Sequence, residues 1–107
     1  MGVCVNESLI GQPGSRALMA TPALIINLPA FEANLGNMAT HCAKSGLVLR
    51  PHSKTHKCAE IARRQIAAGA VGICCAKLGE AEAMGAEGIQ NILLTSPVVT
   101  PLALSGF

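Results

Sequence analysis

Residues 70–76 read AVGICCA, a continuous apolar run of strand length. Strands covered on both faces have this pattern, because helices pack on each side of the parallel sheets of α/β proteins. An alanine-rich segment at 58–68, with Ile61 and Ile66 facing inward, precedes the run and ends at Gly69. We therefore predict a helix followed by a buried strand.

The same alternation continues on both sides of this run. Toward the carboxyl end, we predict a helix at 78–86 and an apolar strand at 89–94. Toward the amino end, LVLR at 47–50 is typical of a strand, and apolar residues spaced by three and four predict a helix at 29–45. ALIINL at 23–28 predicts one more strand. Repeated strand and helix units with short connections predict a parallel sheet, either open or closed into a barrel.

The length of the chain limits how much of such a barrel it can form. A (β/α)₈ barrel needs about 250 residues, and this chain has 107. We therefore expect an incomplete barrel domain at 21–107. Residues 1–20 keep neither a helical nor a strand period for long, and they predict a leader arm.

Composition excludes several classes of function. Eight basic and six acidic residues give no field that indicates nucleic acid binding, and there is no Trp or Tyr for base stacking. No apolar run approaches the ~20 residues of a membrane span. Five cysteines without C-x-x-C spacing, in a chain that does not start like a signal peptide, favour free thiols in the cytosol. We expect a soluble cytoplasmic protein that binds neither nucleic acid nor membrane.

Residues 49–58, LRPHSKTHKC, place two histidines and two lysines within six positions where a predicted strand ends. Parallel α/β folds carry their chemistry at the carboxyl ends of strands. If the extended conformation continued, alternate side chains would share one side. These are Arg50, His52, Lys54 and His56. Pro51 weakens that expectation, because proline often marks the end of a strand.

Four interpretations of this segment stay open from the residues alone. A zinc site would use histidine and cysteine ligands, but Pro51 disfavours the helix that would bring two of them onto one face. The candidate ligands are His52, His56 and Cys58, with His41 and Cys42. A phosphate-binding loop would need glycines, and none lies between 50 and 58. A solvated polar loop is the simplest alternative. The fourth is a nucleophilic lysine whose pKa is lowered by burial and neighbouring cations.

Two other pairs of residues receive structural interpretations. Cys74 and Cys75 lie in a strand of the buried type, where cysteine usually packs as a small apolar residue. Glu80 and Glu82 follow the strand end, but acidic residues in the first turn of a helix commonly complement its dipole. We predict no catalytic role for any of the four.

The segment resembles the lysine motif of the pyridoxal-phosphate enzymes of the alanine racemase-like barrel fold. Within that fold it is most similar to the D-threonine aldolase and D-serine dehydratase group, in which R-P-H-x-K-T-H-K follows the first barrel strand. The matching residues are Arg50, Pro51, His52, Lys54, Thr55, His56 and Lys57. The similarity continues through IGQPGSRALMATPALIINL before the motif and through EIARRQIAAGAVGICCAKLGEAEAM and ILLTSPVVTP after it. It covers about residues 9–101.

The resemblance implies a fold, a cofactor and site residues. The fold would be the N-terminal part of a pyridoxal-phosphate-binding (β/α)₈ TIM-type barrel, with strand 23–28 joining a β domain formed mainly by a C-terminal segment. Lys54 would bind pyridoxal 5′-phosphate covalently, and His52 would lie near the cofactor ring and position it or tune its protonation. Lys57 is given no catalytic role. No metal ligand is expected here, because the family's divalent metal (Mn, Mg or Zn) would be held by the full-length protein.

The resemblance also implies an activity. We expect a lyase that cleaves a small β-hydroxy-D-amino acid, of the D-threonine or 3-hydroxy-D-aspartate type, to glycine and an aldehyde, as a homodimer when full length. A D-serine dehydratase-like ammonia-lyase is the alternative. A non-catalytic pyridoxal-phosphate-binding protein and an inactive fragment are the others. We expect the 107 residues alone to be inactive, because part of a barrel leaves open sheet edges.

Overall fold

Helices and two short strands make up the regular structure of residues 5–105, the part of the chain that this computed structural model describes. The helices are α1 (Leu28–Lys44), α2 (Ala59–Ala67), α3 (Leu78–Ala86) and α4 (Pro101–Leu104). The strands are β1 (Ile73–Cys75) and β2 (Ile92–Leu94), and two 3₁₀ turns (Glu7–Leu9 and Ser15–Leu18) lie near the amino end. The predictions of helices at 29–45, 58–68 and 78–86 are confirmed to within one residue at each end.

Local signals explain where α1 begins and ends. The side chain of Asn27 accepts a hydrogen bond from the backbone N–H of Ala30 at 3.1 Å, which satisfies one of the free donors of the first turn. Pro29 occupies an early helical position, where its missing N–H costs nothing. Past the other end, Gly46 adopts a left-handed φ of 65°. Each of these residues acts within a few positions of the helix end that it defines, so the helix could be predicted from sequence.

A parallel sheet organises the carboxyl half of the described chain. Ile73 of β1 lies opposite Ile92 of β2, and α3 connects the two strands. Segment 49–53 runs along the other side of β1, because the Pro51 carbonyl accepts the Cys74 N–H and the Cys74 carbonyl accepts the Ser53 N–H, both at 2.8 Å. The prediction of parallel pairing is confirmed, although β1 and β2 are shorter than the predicted runs.

One predicted strand, at 47–50, is paired over fewer residues than expected, and another, at 23–28, does not form within the described chain. At 47–50, Leu47 and Val48 are exposed and do not pair with the segment leading into β1, because that pairing begins only at Leu49. Residues 23–27 form no strand, and Leu24, the most exposed of them, is fully accessible to water. A strand needs a neighbour for its backbone groups, and no described segment lies beside this one.

Two hydrogen bonds join the beginning and the end of the described part of the predicted leader arm. The side-chain amide of Asn6 donates to the Ala20 carbonyl at 3.2 Å, and its oxygen accepts the Ala20 N–H at 2.9 Å. Residues 1–4 of the arm and 106–107 of the predicted barrel domain lie outside the described residues. The division into an arm and a barrel domain stays a prediction.

The core lies on the helix-covered face of the sheet. It consists of apolar side chains from α2, β1, α3 and the approach to β2, and its buried members are Ala62, Ile73, Cys75, Ala81, Met84 and Ile89. Leu93, between the inward-facing Ile92 and Leu94, is half exposed on the opposite face. That opposite face carries the side chains discussed below. Among residues 5–105, no helix is long and apolar enough to cross a bilayer.

Candidate functional site

The motif changes conformation at the end of the first paired segment. Residues 53–56 form a turn in which the Ser53 carbonyl accepts the Lys57 N–H at 2.8 Å, and Lys57 has a left-handed φ of 47°. The alternation expected through His56 therefore ends before Lys54, because the chain must turn to enter α2. The sequence-based placement of Lys54 and His56 on the same strand face as His52 is wrong.

Arg50 and His52 do share a face, and both reach across the central strand to the chain around β2. The Arg50 guanidinium donates to the backbone carbonyl of Asn91. Nε2 of His52 lies 3.3 Å from Oγ1 of Thr95. Arg50 can cross because Gly72, beneath it, has no side chain. The two contacts tie the first and third segments of the sheet together on its exposed face.

His52 links Lys54 to the end of β2. The backbone N–H of Lys54 donates to Nδ1 of His52 at 3.2 Å, and the Thr95 hydroxyl donates to the Cys75 carbonyl at 3.1 Å. Sequence reasoning missed Thr95. The available signal was its position directly after an apolar strand, where parallel folds place functional side chains.

The two lysines of the motif differ in their partners. Lys54 is exposed, and within residues 5–105 its amine makes neither a hydrogen bond nor an ion pair. Nζ of Lys57 lies 3.5 Å from Oε1 of Glu80, a carboxylate whose side chain is only 13% exposed. The amine of Lys54 is therefore available at the carboxyl end of the sheet, whereas that of Lys57 is engaged.

Glu80 organises the connection between β1 and α3. Its Oε2 accepts the Ala76 N–H at 2.9 Å and the Lys77 N–H at 3.3 Å. The Ala76 N–H, followed by the Lys77 N–H and Lys57, holds the pKa of the Glu80 carboxyl below its usual range. The predicted structural role is confirmed, and it extends to pairing with a motif lysine that helix-dipole reasoning did not anticipate.

Two motif side chains, those of Ser53 and His56, are shielded from water. Ser53 is 1% exposed, and its hydroxyl donates to the Cys74 carbonyl at 3.0 Å. Nδ1 of His56 accepts the Cys58 N–H at 3.0 Å, and burial lowers the pKa of His56. With one residue buried and both histidines half-buried, the segment is more than a solvated polar loop.

The zinc interpretation finds no support in the described part of the chain. Residues 5–105 contain no group of three His, Cys, Asp or Glu side chains that could hold a metal ion. His52 contacts Thr95, whereas His56 accepts a hydrogen bond at the start of α2. The described cysteines, Cys42, Cys58, Cys74 and Cys75, are free thiols.

Comparisons with known proteins place these features in a family. Residues 26–105 match the model described as alanine racemase, N-terminal domain. A D-threonine aldolase from an Arthrobacter species is 48% identical over 95 residues, covering 88% of this chain and 25% of that protein.

Two solved structures match the fold. The crystal structure of D-threonine aldolase from Filomicrobium marinum has a TM-score of 0.79 and 50% identity, covering 81% of this chain and 24% of that one. The D-threo-3-hydroxyaspartate dehydratase from Delftia sp. HT23 has a TM-score of 0.77 and 37% identity, covering 82% and 24% respectively. The chain therefore spans about a quarter of the length of the relatives it matches.

Proposed function

The chain belongs to the alanine racemase N-terminal domain family, and from this premise we propose that it is the N-terminal part of a pyridoxal-phosphate-dependent lyase. The proposed reaction cleaves a β-hydroxy-D-amino acid, of the D-threonine or 3-hydroxy-D-aspartate type, to glycine and an aldehyde. The observation that carries the proposal is the free amine of Lys54 at the carboxyl end of the sheet. The greater identity to D-threonine aldolases than to the dehydratase supports aldol cleavage.

The residues present fit the cofactor. Pyridoxal phosphate requires a lysine amine that no other group engages and that an incoming substrate can reach. Lys54 meets both conditions, whereas the ion pair with Glu80 holds Lys57 at the entrance to α2. When bound, the cofactor supplies an electron sink for the α-carbon of an amino acid. We therefore assign Lys54 as the catalytic lysine.

His52 is the second proposed cofactor-site residue. Its imidazole lies between the backbone of Lys54 and the end of β2, on the face of the sheet away from the core. From this position its Nδ1 accepts the Lys54 N–H and orients the backbone of that residue. Arg50 lies two residues earlier on the same face and is occupied by the Asn91 carbonyl, so it is assigned a structural role.

The remaining features belong to the full-length protein. A divalent metal (Mn, Mg or Zn) near the substrate hydroxyl would need ligands other than the described residues, which hold no suitable group. A homodimer in the cytoplasm is likewise proposed for the full-length enzyme. No step of the reaction is assigned to a metal through residues 5–105.

A dehydratase is the second candidate function, favoured by the similarity to the Delftia enzyme. In that reaction the α-proton and the β-hydroxyl leave, and a keto acid and ammonia form. The proposed lysine is the same in both reactions. The distinction therefore depends on the product, and the full-length protein should release glycine from D-threonine without ammonia if it is an aldolase.

Mapping the cofactor lysine tests the proposal directly. The chain is incubated with pyridoxal phosphate, reduced with borohydride and digested for mass spectrometry. We expect the adduct on Lys54, its loss in Lys54→Arg, and its retention in the matched control Lys57→Arg. Labelling of Lys57, or labelling spread over all the lysines, would contradict the assignment.

A further inference from the structure

The hydrogen bonds of two neighbours, Lys54 and Thr95, indicate which nitrogen of His52 carries a proton. Nδ1 accepts the backbone N–H of Lys54 at 3.2 Å, so this nitrogen carries no proton. A neutral imidazole then has its proton on Nε2, which lies 3.3 Å from Oγ1 of Thr95. The Thr95 hydroxyl uses its own proton on the Cys75 carbonyl at 3.1 Å, which leaves its lone pairs to accept from Nε2.

The second neutral tautomer of His52 conflicts with this arrangement. Its proton on Nδ1 would face the N–H of Lys54, and two donors would oppose each other. The second neutral tautomer would also require the Thr95 hydroxyl to release the Cys75 carbonyl. The local geometry therefore selects the tautomer with its proton on Nε2.

Thr95 is held in place independently of the imidazole. Its backbone N–H donates to the same Cys75 carbonyl at 2.9 Å, directly after the last paired residue of β2. The hydroxyl is thus presented from the rigid end of a strand. Lys54, in contrast, lies in an exposed turn, and among residues 5–105 its bond to His52 is the one hydrogen bond that fixes it.

We propose that Thr95 is a positioning residue for the cofactor lysine. By accepting the proton of Nε2, its hydroxyl fixes His52 in the tautomer whose Nδ1 holds the Lys54 backbone at the carboxyl end of the sheet. The role of Lys54 in this statement rests on the proposed function. The tautomer of His52 and its dependence on Thr95 do not, because they are properties of the cofactor-free chain.

Nitrogen NMR of ¹⁵N-histidine-labelled, cofactor-free protein tests the tautomer. In the wild type, Nδ1 of His52 should resonate as an unprotonated nitrogen and Nε2 as a protonated one. Thr95→Ser keeps the hydroxyl and should preserve this pattern. Thr95→Val keeps the shape without the acceptor, and both resonances should move toward the averages of a mixed tautomer population.

Cofactor binding supplies the second readout. Without this contact, Lys54 must be ordered when the cofactor binds, and an ordering cost of about 1 kcal/mol, the size of one hydrogen bond, corresponds to an increase of about fivefold in the Kd for pyridoxal phosphate. We expect that increase in Thr95→Val and recovery in Thr95→Ser. In a His52→Ala background, Thr95→Val should add no further loss, because the two residues act through one contact.

The outcomes separate the two proposals. A proton on Nδ1 in the wild type would overturn the role of Thr95, and this measurement needs no variant to fold. An unchanged tautomer in Thr95→Val would overturn it as well. A third outcome is that the tautomer and its response to Thr95→Val are as expected but borohydride labels lysines other than Lys54. The contact between Thr95 and His52 would then be supported. The proposed function would be refuted, and with it the role of the contact in positioning a cofactor lysine.

Discussion

Replacing Gly72 by alanine should destabilise the sheet beneath the proposed site. An added Cβ would lie 2.8 Å from Cβ of Asn91 and closer still to the Asn91 carbonyl and the Arg50 guanidinium. Only the arginine can move aside easily, because the other two atoms belong to the chain entering β2. Overpacking of this kind typically costs about 1–3 kcal/mol. We expect a loss of stability in that range, with release of Arg50 from Asn91.

Gly36 serves as the control, because alanine at that position should raise the stability of the chain and not lower it. Gly36 lies inside α1, and a Cβ there would meet no atom within 4 Å. Gly36→Ala should therefore stabilise the chain by about 0.5–1 kcal/mol, the helical preference of alanine over glycine. Urea unfolding followed by circular dichroism measures both variants. Surface substitutions without a steric obstacle usually change the free energy of unfolding by less than about 0.5 kcal/mol. If the change in Gly72→Ala stays within that range, Arg50 does not cross over Gly72 as described.

Two further predictions concern the ends of helices. Asn27→Ala should lower stability by about 1 kcal/mol because the Ala30 N–H loses its acceptor, whereas Asn27→Asp should keep the cap; urea midpoints distinguish them. Burial lowers the pKa of His56 from its ordinary value of 6.5, so the unfolded chain binds the proton more readily and stability should fall as pH drops below that value. His56→Asn keeps an acceptor for the Cys58 N–H and should flatten the pH dependence of the urea midpoint between pH values of about 5 and 7.5; an unchanged slope would contradict the burial argument.

Sequence alone located the helices because their signals are local. A cap, a proline in the first turn and a glycine past the end act within a few residues of the helix they define. Strands were placed less well. Segment 47–50 pairs only from its third residue, and 23–28 does not pair within the described chain, because a strand exists only where another segment satisfies its backbone.

The same distinction between local and long-range information applies to the candidate site. The resemblance of the motif to the family's lysine motif predicts Lys54 and His52 as site residues, whereas spacing and position alone left other interpretations open, and the assignment stays a proposal. Tertiary structure alone brought Thr95 to His52, 43 positions apart, and Glu80 to Lys57. Those contacts arise because parallel pairing places the carboxyl ends of successive strands side by side. The sequence determined which groups are present, and the register of the sheet decided which of them can act on one another.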